Sequence, residues 1–561
     1  MTSKIKLFFA AAVVILASCN KQLSPLLNDP SKASPSAADP DLYLNFLQTE
    51  FKTFYKDATD YGEQMTRMQT MFGPTYFNAY TPTSFDEMWQ KAYMSVFKTA
   101  NTMIPIAESK QEYTHEGIAQ VLKAYTMMTL VDFFGDVPYS EASQGLTNTN
   151  PKVDPGKSVY DSAIALLDAA IANFGKDASF APASDLFYGD KKDPAASWTT
   201  LAKTLKLKAY ITTRLVDNTA ASKITALLTE NDLINTPDQD FVFSYSTHSA
   251  SPDARASHYV NNYGTDNAAQ DYIGTYFLWT LVEEKPMLDP RTPYYVYRQL
   301  DDMSTDSRVA SQTTRQFAIP CLYRTSPYPA GTCYCLVGGG YWGRDHGNNE
   351  GIPPDNALRT TWGVYPAGGA FDAEQNKAIG QSSGKITGAG GNGINPIWLS
   401  SFTNFVKAEA ALVLGTAGDP KTLMLAGIDA SMSKVAGFAG SIGYTLPTAD
   451  TAYLMTDYKV HKYDSIVGKQ FDAATSTDAK LNLIEKEYYL AAWGNGIEPF
   501  NTYRRTGKPD NMQPTLGPSP GSFIRSFFYA SVYVNYNKNA TQKTVVNEKV
   551  FWDTNPDNFV H

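Results

Sequence analysis

Apolar residues recur at helical spacing in some parts of this chain and hardly at all in others, and that contrast constrains the fold more than any other feature. Ile164, Leu167, Ile171 and Phe174 fall at i, i+3, i+7 and i+10, and Trp198, Leu201, Leu205 and Ala209 at i, i+3, i+7 and i+11. Each set draws one apolar stripe along a helix. The same reading predicts helices over 84–108, 114–134, 402–415, 421–437 and 480–493. Taken as neighbours they make about four helix pairs, near the spacing of helix-turn-helix repeats. The segments 240–400 and 508–561 carry little helical period and dense turn signals such as Gly338-Gly339-Gly340, Pro353-Pro354 and Gly390-Gly391. Loops this long in a compact body are usually functional, because backbone that is not locked in ladders can be shaped around a ligand. The expected architecture is a mostly α scaffold bearing a large irregular excursion.

The N-terminus sets the compartment. Lys4 and Lys6 supply a positive region, Leu7 to Ala17 is an apolar run of eleven residues, and Leu16-Ala17-Ser18-Cys19 closes it. The run is too short for a permanent transmembrane helix and fits a secretory signal. Its end resembles the bacterial lipobox, in which a cysteine is acylated and becomes the new N-terminus. Cys19 is therefore the expected lipidation site, residues 1–18 the signal peptide, and two or three acyl chains the anchor. Loss of Lys4 and Lys6 takes the formal charge from −9 to −11. Residues 19–40 form a tether, with Pro25, Pro30, Pro35 and Pro40 spaced five apart among polar residues that cannot pack. The body is expected over 41–561, its scaffold over about 41–220 and 400–507 and its loop-rich region over about 221–399 and 508–561. The only membrane contact expected is the lipid anchor, since no later stretch approaches the apolar length of a span.

With 43% apolar and 18% charged residues the chain can bury a large core, and disorder is excluded as the dominant state. Its 47 basic against 56 acidic residues, with no long basic run, exclude nucleic acid as a partner. The aromatic content is unusual: 35 Tyr, 29 Phe and 8 Trp. Rings with a polar handle suit a surface that is wet and adhesive at once.

Several landmarks together resemble the SusD/RagB family of nutrient-binding lipoproteins. Leu130-Val131-Asp132-Phe133-Phe134-Gly135-Asp136-Val137-Pro138-Tyr139 is similar to the family's helix-end motif. Trp198 to Leu215, Lys407-Ala408-Glu409-Ala410 and Tyr503-Arg504-Arg505-Thr506-Gly507 resemble three more landmarks, in order, and Val550-Phe551-Trp552-Asp553 closes the set. The run from Asp345 through Gly347, Glu350 and Pro354 to Asp355 is similar to the SusD-like branch. The resemblance implies tetratricopeptide-like helix pairs and a cell-surface-exposed lipoprotein of the outer membrane. It further implies a lid on a SusC-like TonB-dependent transporter, and a ligand that is an oligosaccharide or, in some branches, a peptide. It implies no catalysis and no cofactor.

Sugar rings offer apolar C–H faces to aromatic side chains and hydroxyls to the polar groups around them. Two loop clusters have that mixture. One is Phe72, Tyr76, Phe77 and Tyr80; the other is Tyr341, Trp342, Arg344, Asp345, His346, Asn348 and Asn349, with Trp362 and Tyr365 downstream. From these, Tyr341, Trp342, Arg344, Asp345, His346, Asn348, Trp362, Tyr76 and Tyr80 are the candidate ligand contacts, against the alternative that the rings are packing. Asp345 and His346 with Asp355 would be the acid/base set of a hydrolase, but adjacent residues rarely aim at one atom and no nucleophile elbow accompanies them. No metal-spaced His pair occurs among the six His, and no metal is expected. Cys321, Cys333 and Cys335 are the disulfide candidates. Pairing Cys321 with Cys333 or Cys335 closes a loop of roughly a dozen residues, worth about 3 kcal/mol, and leaves one thiol spare. Three thiolates with His346 would instead make a zinc ligand set. Glu409 lies on an apolar stripe with Phe402, Phe405 and Val406 and therefore needs an Arg, Lys or backbone partner. Arg504 and Arg505 are expected to clamp the scaffold, and Asp289-Pro290-Arg291 to form a turn with its own ion pair.

Overall fold

A computed structural model describes residues 39–263, 271–301, 338–349, 358–372, 388–447, 454–517 and 519–561, together with Glu374, Asn376, Lys377 and Ile379. Cys19, Cys321, Cys333, Cys335, Asp355, the signal peptide and all but the last two residues of the tether lie outside the described residues.

The first helix, α1 (Pro40–Met65), starts where Asp39 accepts a hydrogen bond from the Asp41 amide and Pro40 takes the first helical position. Its buried face is the stripe Leu44, Leu47, Phe51, Phe54, Tyr55 and Ala58. Residues 86–109 form α2, which is α-helical over Asp86–Gln90, π-helical over Lys91–Phe97 and α-helical again over Lys98–Ser109. Helix α3 (Tyr113–Phe134) is buried on nearly every side and ends at Gly135, whose φ of 78° lies outside the helical region. There follow α4 (Gly156–Phe174), α5 (Pro194–Thr212) and α6 (Ala220–Glu230). Consecutive helices from α2 to α6 pack side by side. Trp198, Leu201, Leu205 and Ala209 are all fully buried, as their spacing predicts.

After α6 the chain leaves the helical stack at β1 (Phe241–Ser244) and returns at β2 (Ile394–Trp398). The two strands pair antiparallel, with Phe241 opposite Trp398, so the long excursion is closed at its base by one short ladder. The stack then resumes with α7 (Ser400–Leu414), α8 (Pro420–Ser441), α9 (Asp457–Ala473), α10 (Thr477–Ala491) and α11 (Ile497–Thr506). The short α12 (Ser531–Tyr536) lies within an otherwise irregular tail. The mostly α architecture of paired helices with a loop-rich excursion is the expected one.

Buried charges hold this arrangement. Arg505 grips both oxygens of Glu409, at 3.0 and 2.6 Å, and Arg214 adds a contact at 2.9 Å. Glu485 lies beside them, and burial next to the Glu409 carboxylate pushes its own carboxyl well above the usual range, so it is held protonated. Arg504 Nη1 donates to the carbonyls of Asp132 and Arg525 at 2.7 and 2.6 Å. The Asp132 carboxylate accepts from Tyr160, from Asn501 at 2.7 Å and from Trp552 at 2.9 Å. Arg291 pairs with Asp289 in the expected turn, at 2.9 and 2.6 Å.

One helix crossing has no room for a side chain. A Cβ on Gly62 of α1 would run into the Gly496 carbonyl, and one on Gly496 would run into the backbone at Glu63 and Thr59. Gly62→Ala and Gly496→Ala are each expected to cost at least about 2 kcal/mol, because backbone must move. Gly437→Ala, with open space around its Cβ on α8, is expected to be neutral or to stabilise by up to about 1 kcal/mol. Urea unfolding of the three variants checks the contrast.

Candidate functional site

A surface groove of about 600 Å³ opens where three distant segments meet: the first half of α2, the loop 138–151 and helix α12. Trp89 is sandwiched by Tyr93, one helical turn on, with ring centroids 4.9 Å apart and planes at 28°, and by Tyr533 at 4.8 Å and 24°. The π-helical turn supplies Tyr93 and Met94; such turns widen a helix locally and are common at functional sites. Tyr536, at 80% exposure, and Met94, at 65%, stand at the rim.

Hydrogen bonds stitch the three segments together. Asp86 accepts from Ser531 Oγ at 2.6 Å and from the Val532 amide at 3.0 Å, fastening the start of α12 to the start of α2. Tyr93 donates its hydroxyl to the Pro138 carbonyl at 2.7 Å, and Asn537 donates to the Pro151 carbonyl at 2.8 Å. Asp154 accepts from the amides of Tyr139 and Ser140, both at 2.8 Å, and from Ser140 Oγ at 2.7 Å. Partial burial works against that carboxylate, but the hydrogen bonds hold its pKa below the ordinary value.

The polar lining is amide-rich, with Gln90, Gln144, Asn148 and Asn537, and Lys98 is its one cation among the described residues. No Asp or Glu is among the described residues that line the groove. The Tyr533 hydroxyl is buried without a hydrogen-bond partner among the described residues, a polar group that calls for one. Trp89 and Tyr533 are themselves buried, so the half-buried Tyr93, the exposed Tyr536 and the amides are the groups open to the apolar faces and the hydroxyls of a sugar.

The structure brings the two loop clusters anticipated from sequence together and buries most of their members, while Phe72, Phe77 and Asn349 stay exposed. Tyr76 meets His346, hydroxyl to Nε2 at 3.3 Å, and Arg344 sits over the Phe72 ring at 4.9 Å. Arg67 donates to the Tyr76 hydroxyl at 3.0 Å. Trp342 packs on the Arg359 guanidinium at 4.6 Å, and Asp345 accepts from Gln513 at 3.1 Å. Tyr341, Trp342, Arg344, Asp345, His346, Asn348, Trp362 and Tyr76 are all buried, while Tyr80 is half-buried and donates to Gln64 at 2.8 Å. Glycine-flanked aromatic residues in an irregular segment read as open loop, yet here they face a second layer of chain. The buried members pack within the protein in this structure. Burial and the adjacent Arg67 hold His346 well below the usual imidazole range, so it is a neutral ring in the packing.

Trp362 belongs to the joint between scaffold and excursion. His258 packs against it at 4.2 Å between centroids and bridges Asp60 of α1, at 2.9 Å, and Asp271, at 2.8 Å. Burial disfavours the imidazolium, but the two carboxylates win and push His258 up to about 9. No group of three His, Cys, Asp or Glu among the described residues is arranged to hold a metal ion, and no helix among them is long and apolar enough to cross a membrane.

Paired helices carrying a ring-lined surface groove and a long excursion define a helical-repeat body with a loop-built site. Residues 28–311 match the SusD-like profile described as starch-binding, associating with the outer membrane, and residues 372–552 match that of the SusD and RagB outer membrane lipoproteins. The chain belongs to the SusD/RagB family. Its fold is that of solved relatives. A SusD/RagB family protein from Bacteroides thetaiotaomicron aligns at 18% identity with a TM-score of 0.64, covering 92% of this chain and 100% of that one. A SusD homologue from Bacteroides fragilis aligns at 18% and 0.63, covering 92% and 99%. A chitin-binding SusD homologue from Flavobacterium johnsoniae aligns at 18% and 0.56, covering 92% and 99%. Comparison with curated proteins yields no match.

Two outcomes follow from this geometry. Trp342→Ala should lower unfolding free energy by about 3–5 kcal/mol, as truncation of a buried ring does, and leave the affinity of the folded fraction for ligand unchanged. For His258, a folded pKa of about 9 against an ordinary 6.5 means that its contribution is fully present below pH 6.5 and is lost as pH rises through 9. The stability gap between the native chain and His258→Asn, measured by urea unfolding, should shrink across that interval.

Proposed function

We propose that this chain is a cell-surface lipoprotein, anchored through Cys19, that captures a glycan in the groove around Trp89, Tyr93, Tyr533 and Tyr536. It would then hand the glycan to a SusC-like TonB-dependent transporter. The observation that carries the reading is the groove itself: the accessible Tyr93 and Tyr536 rings, backed by the Trp89 stack, beside four amide side chains. Its volume, about 600 Å³, lies within the range of small-molecule sites. The family's description and a chitin-binding relative support a carbohydrate. A peptide is the second reading, favoured by the amides of Gln90, Gln144, Asn148 and Asn537, which can pair with backbone. Most glycosidases flank the scissile bond with two carboxyl groups; the reading here is capture without turnover, which the family's description as binding proteins supports.

The mature chain carrying Cys19→Ala, tested on glycan and peptide arrays and then by calorimetry, should bind one sugar class and release no product. Tyr536→Ala should weaken that binding about three- to tenfold, the worth of one aromatic contact. Unchanged affinity would move the ligand out of the groove. In cells, Cys19→Ala should abolish acyl labelling and membrane retention.

A further inference from the structure

A second cleft, of about 460 Å³, lies on the other flank of α1, between that helix, the first turn of α2 and the chain just after β1. Six charged residues line it beside Thr53, Tyr245, Ser257 and Asn261, and several of those charges are already neutralised within the protein. Lys56 lies 2.8 Å from Asp60, and Asp253 and Arg255 form a fork at 3.0 and 2.7 Å.

Two opposite charges are left over. The half-buried Lys52 ammonium lies 5.4 Å from the centroid of Phe243 and 5.7 Å from that of Tyr245, senses Glu50 and Asp57 only at longer range, and has no carboxylate within ion-pair distance among the described residues. The Asp57 carboxylate touches Lys56 through Oδ1 at 3.9 Å, while its Oδ2 is buried with no hydrogen-bond partner among the described residues. Holding an ammonium and a carboxyl partly out of water with weak partners is costly, and a cleft that does both suits something that carries both signs.

The spacing limits the size of that ligand. Lys52 and Asp57 are five residues apart on α1, a rise of about 7.5 Å with about 140° of turn between them, and their charges still sense one another, so the ligand that bridges them is small. An α-amino acid, with its ammonium and carboxylate on one carbon, reaches roughly 8 Å from donor to acceptor once a hydrogen bond of about 2.8 Å is added at each end. A sugar would offer hydroxyls to both groups but would leave both charges uncompensated. A singly charged ligand would satisfy one and strand the other.

We propose that this cleft binds a free α-amino acid as its zwitterion, with the ammonium on Asp57 and the carboxylate on Lys52. Glu87, exposed at the cleft mouth, adds a second anion on the ammonium side, and the Tyr245 ring floors the site. The electrostatics agree. Burial pushes the Asp57 carboxyl up to about 7, helped by Asp60 and Glu87 and opposed by Lys56 and Lys91. An arriving ammonium would draw that proton off, so binding should tighten as pH rises through 7. The site does not depend on the glycan reading of the aromatic groove, and its test uses no glycan.

The experiment is calorimetry on the mature chain with the twenty free amino acids, followed for the best binder by its N-acetyl derivative, which lacks the ammonium, and its amide, which lacks the carboxylate. The expected result is binding of the zwitterion, at least tenfold weaker binding of each derivative, and the same loss in Asp57→Asn and Lys52→Met. Lys52 has no ion-pair partner to strand, so Lys52→Met should fold normally; if either variant does not fold, the derivative series on the native chain decides. No binding by any amino acid at about 10 mM, which is weaker than roughly 3 kcal/mol of association, or equal binding of the derivatives, would overturn the proposal.

Discussion

Two adjacent arginines at the end of α11 hold this molecule together by facing in different directions. Arg504 donates to the carbonyls of Asp132 and Arg525, and its guanidinium lies 3.7 Å over the Phe500 ring. Arg505 takes the Glu409 carboxylate of α7 together with Arg214, just beyond α5. A buried charge stripped of its partner costs several kcal/mol, so such pairs tolerate few rearrangements. The helices before the excursion and those after it therefore meet at one hub, and the closing Trp552 is drawn into it through Asp132. The chain can leave for some 150 residues between β1 and β2 and return in register because both ends of that departure are fixed.

The same hub explains why scattered sequence landmarks belong together. The motif around Asp132, the run at Arg504 and Arg505, the helix bearing Glu409 and the closing Trp552 look independent along the chain, but in space they form a single polar cluster. Charged residues on apolar stripes were legible as buried and paired because physics allows little else. The helices at 84–108, 114–134, 402–415 and 421–437 were legible from their period. Helix α1 was not among the predicted ones, although Asp39-Pro40 is a start signal and Leu44, Leu47, Phe51, Phe54 and Ala58 keep helical spacing; its proximity to the proline-rich tether masked both.

The groove was beyond reach for a different reason. Trp89 and Tyr93 are legible as neighbours one turn apart, and so are Tyr533 and Tyr536, but nothing in either pair announces that 440 residues later one will stack on the other. The loop clusters erred the opposite way. Glycine beside Tyr341 and Trp342 suggested exposure, whereas the glycines there allow backbone to approach backbone: a Cβ at Gly340 would strike the Leu300 carbonyl, and one at Gly343 would crowd Ile273 and Thr275. Composition identifies which residues are versatile; only the tertiary contacts decide whether a ring serves the inside or the outside.

Because Asp86 fastens α12 to α2, the two walls of the groove are made of residues that leave the ribosome more than 400 residues apart. The helical stack can begin to assemble from its N-terminal end while the chain is still emerging, since each helix leans on its predecessor. The groove cannot, and it comes into being only when the C-terminal tail has docked back onto one of the first helices formed. A formed groove is thus a report that the chain between its two walls has folded.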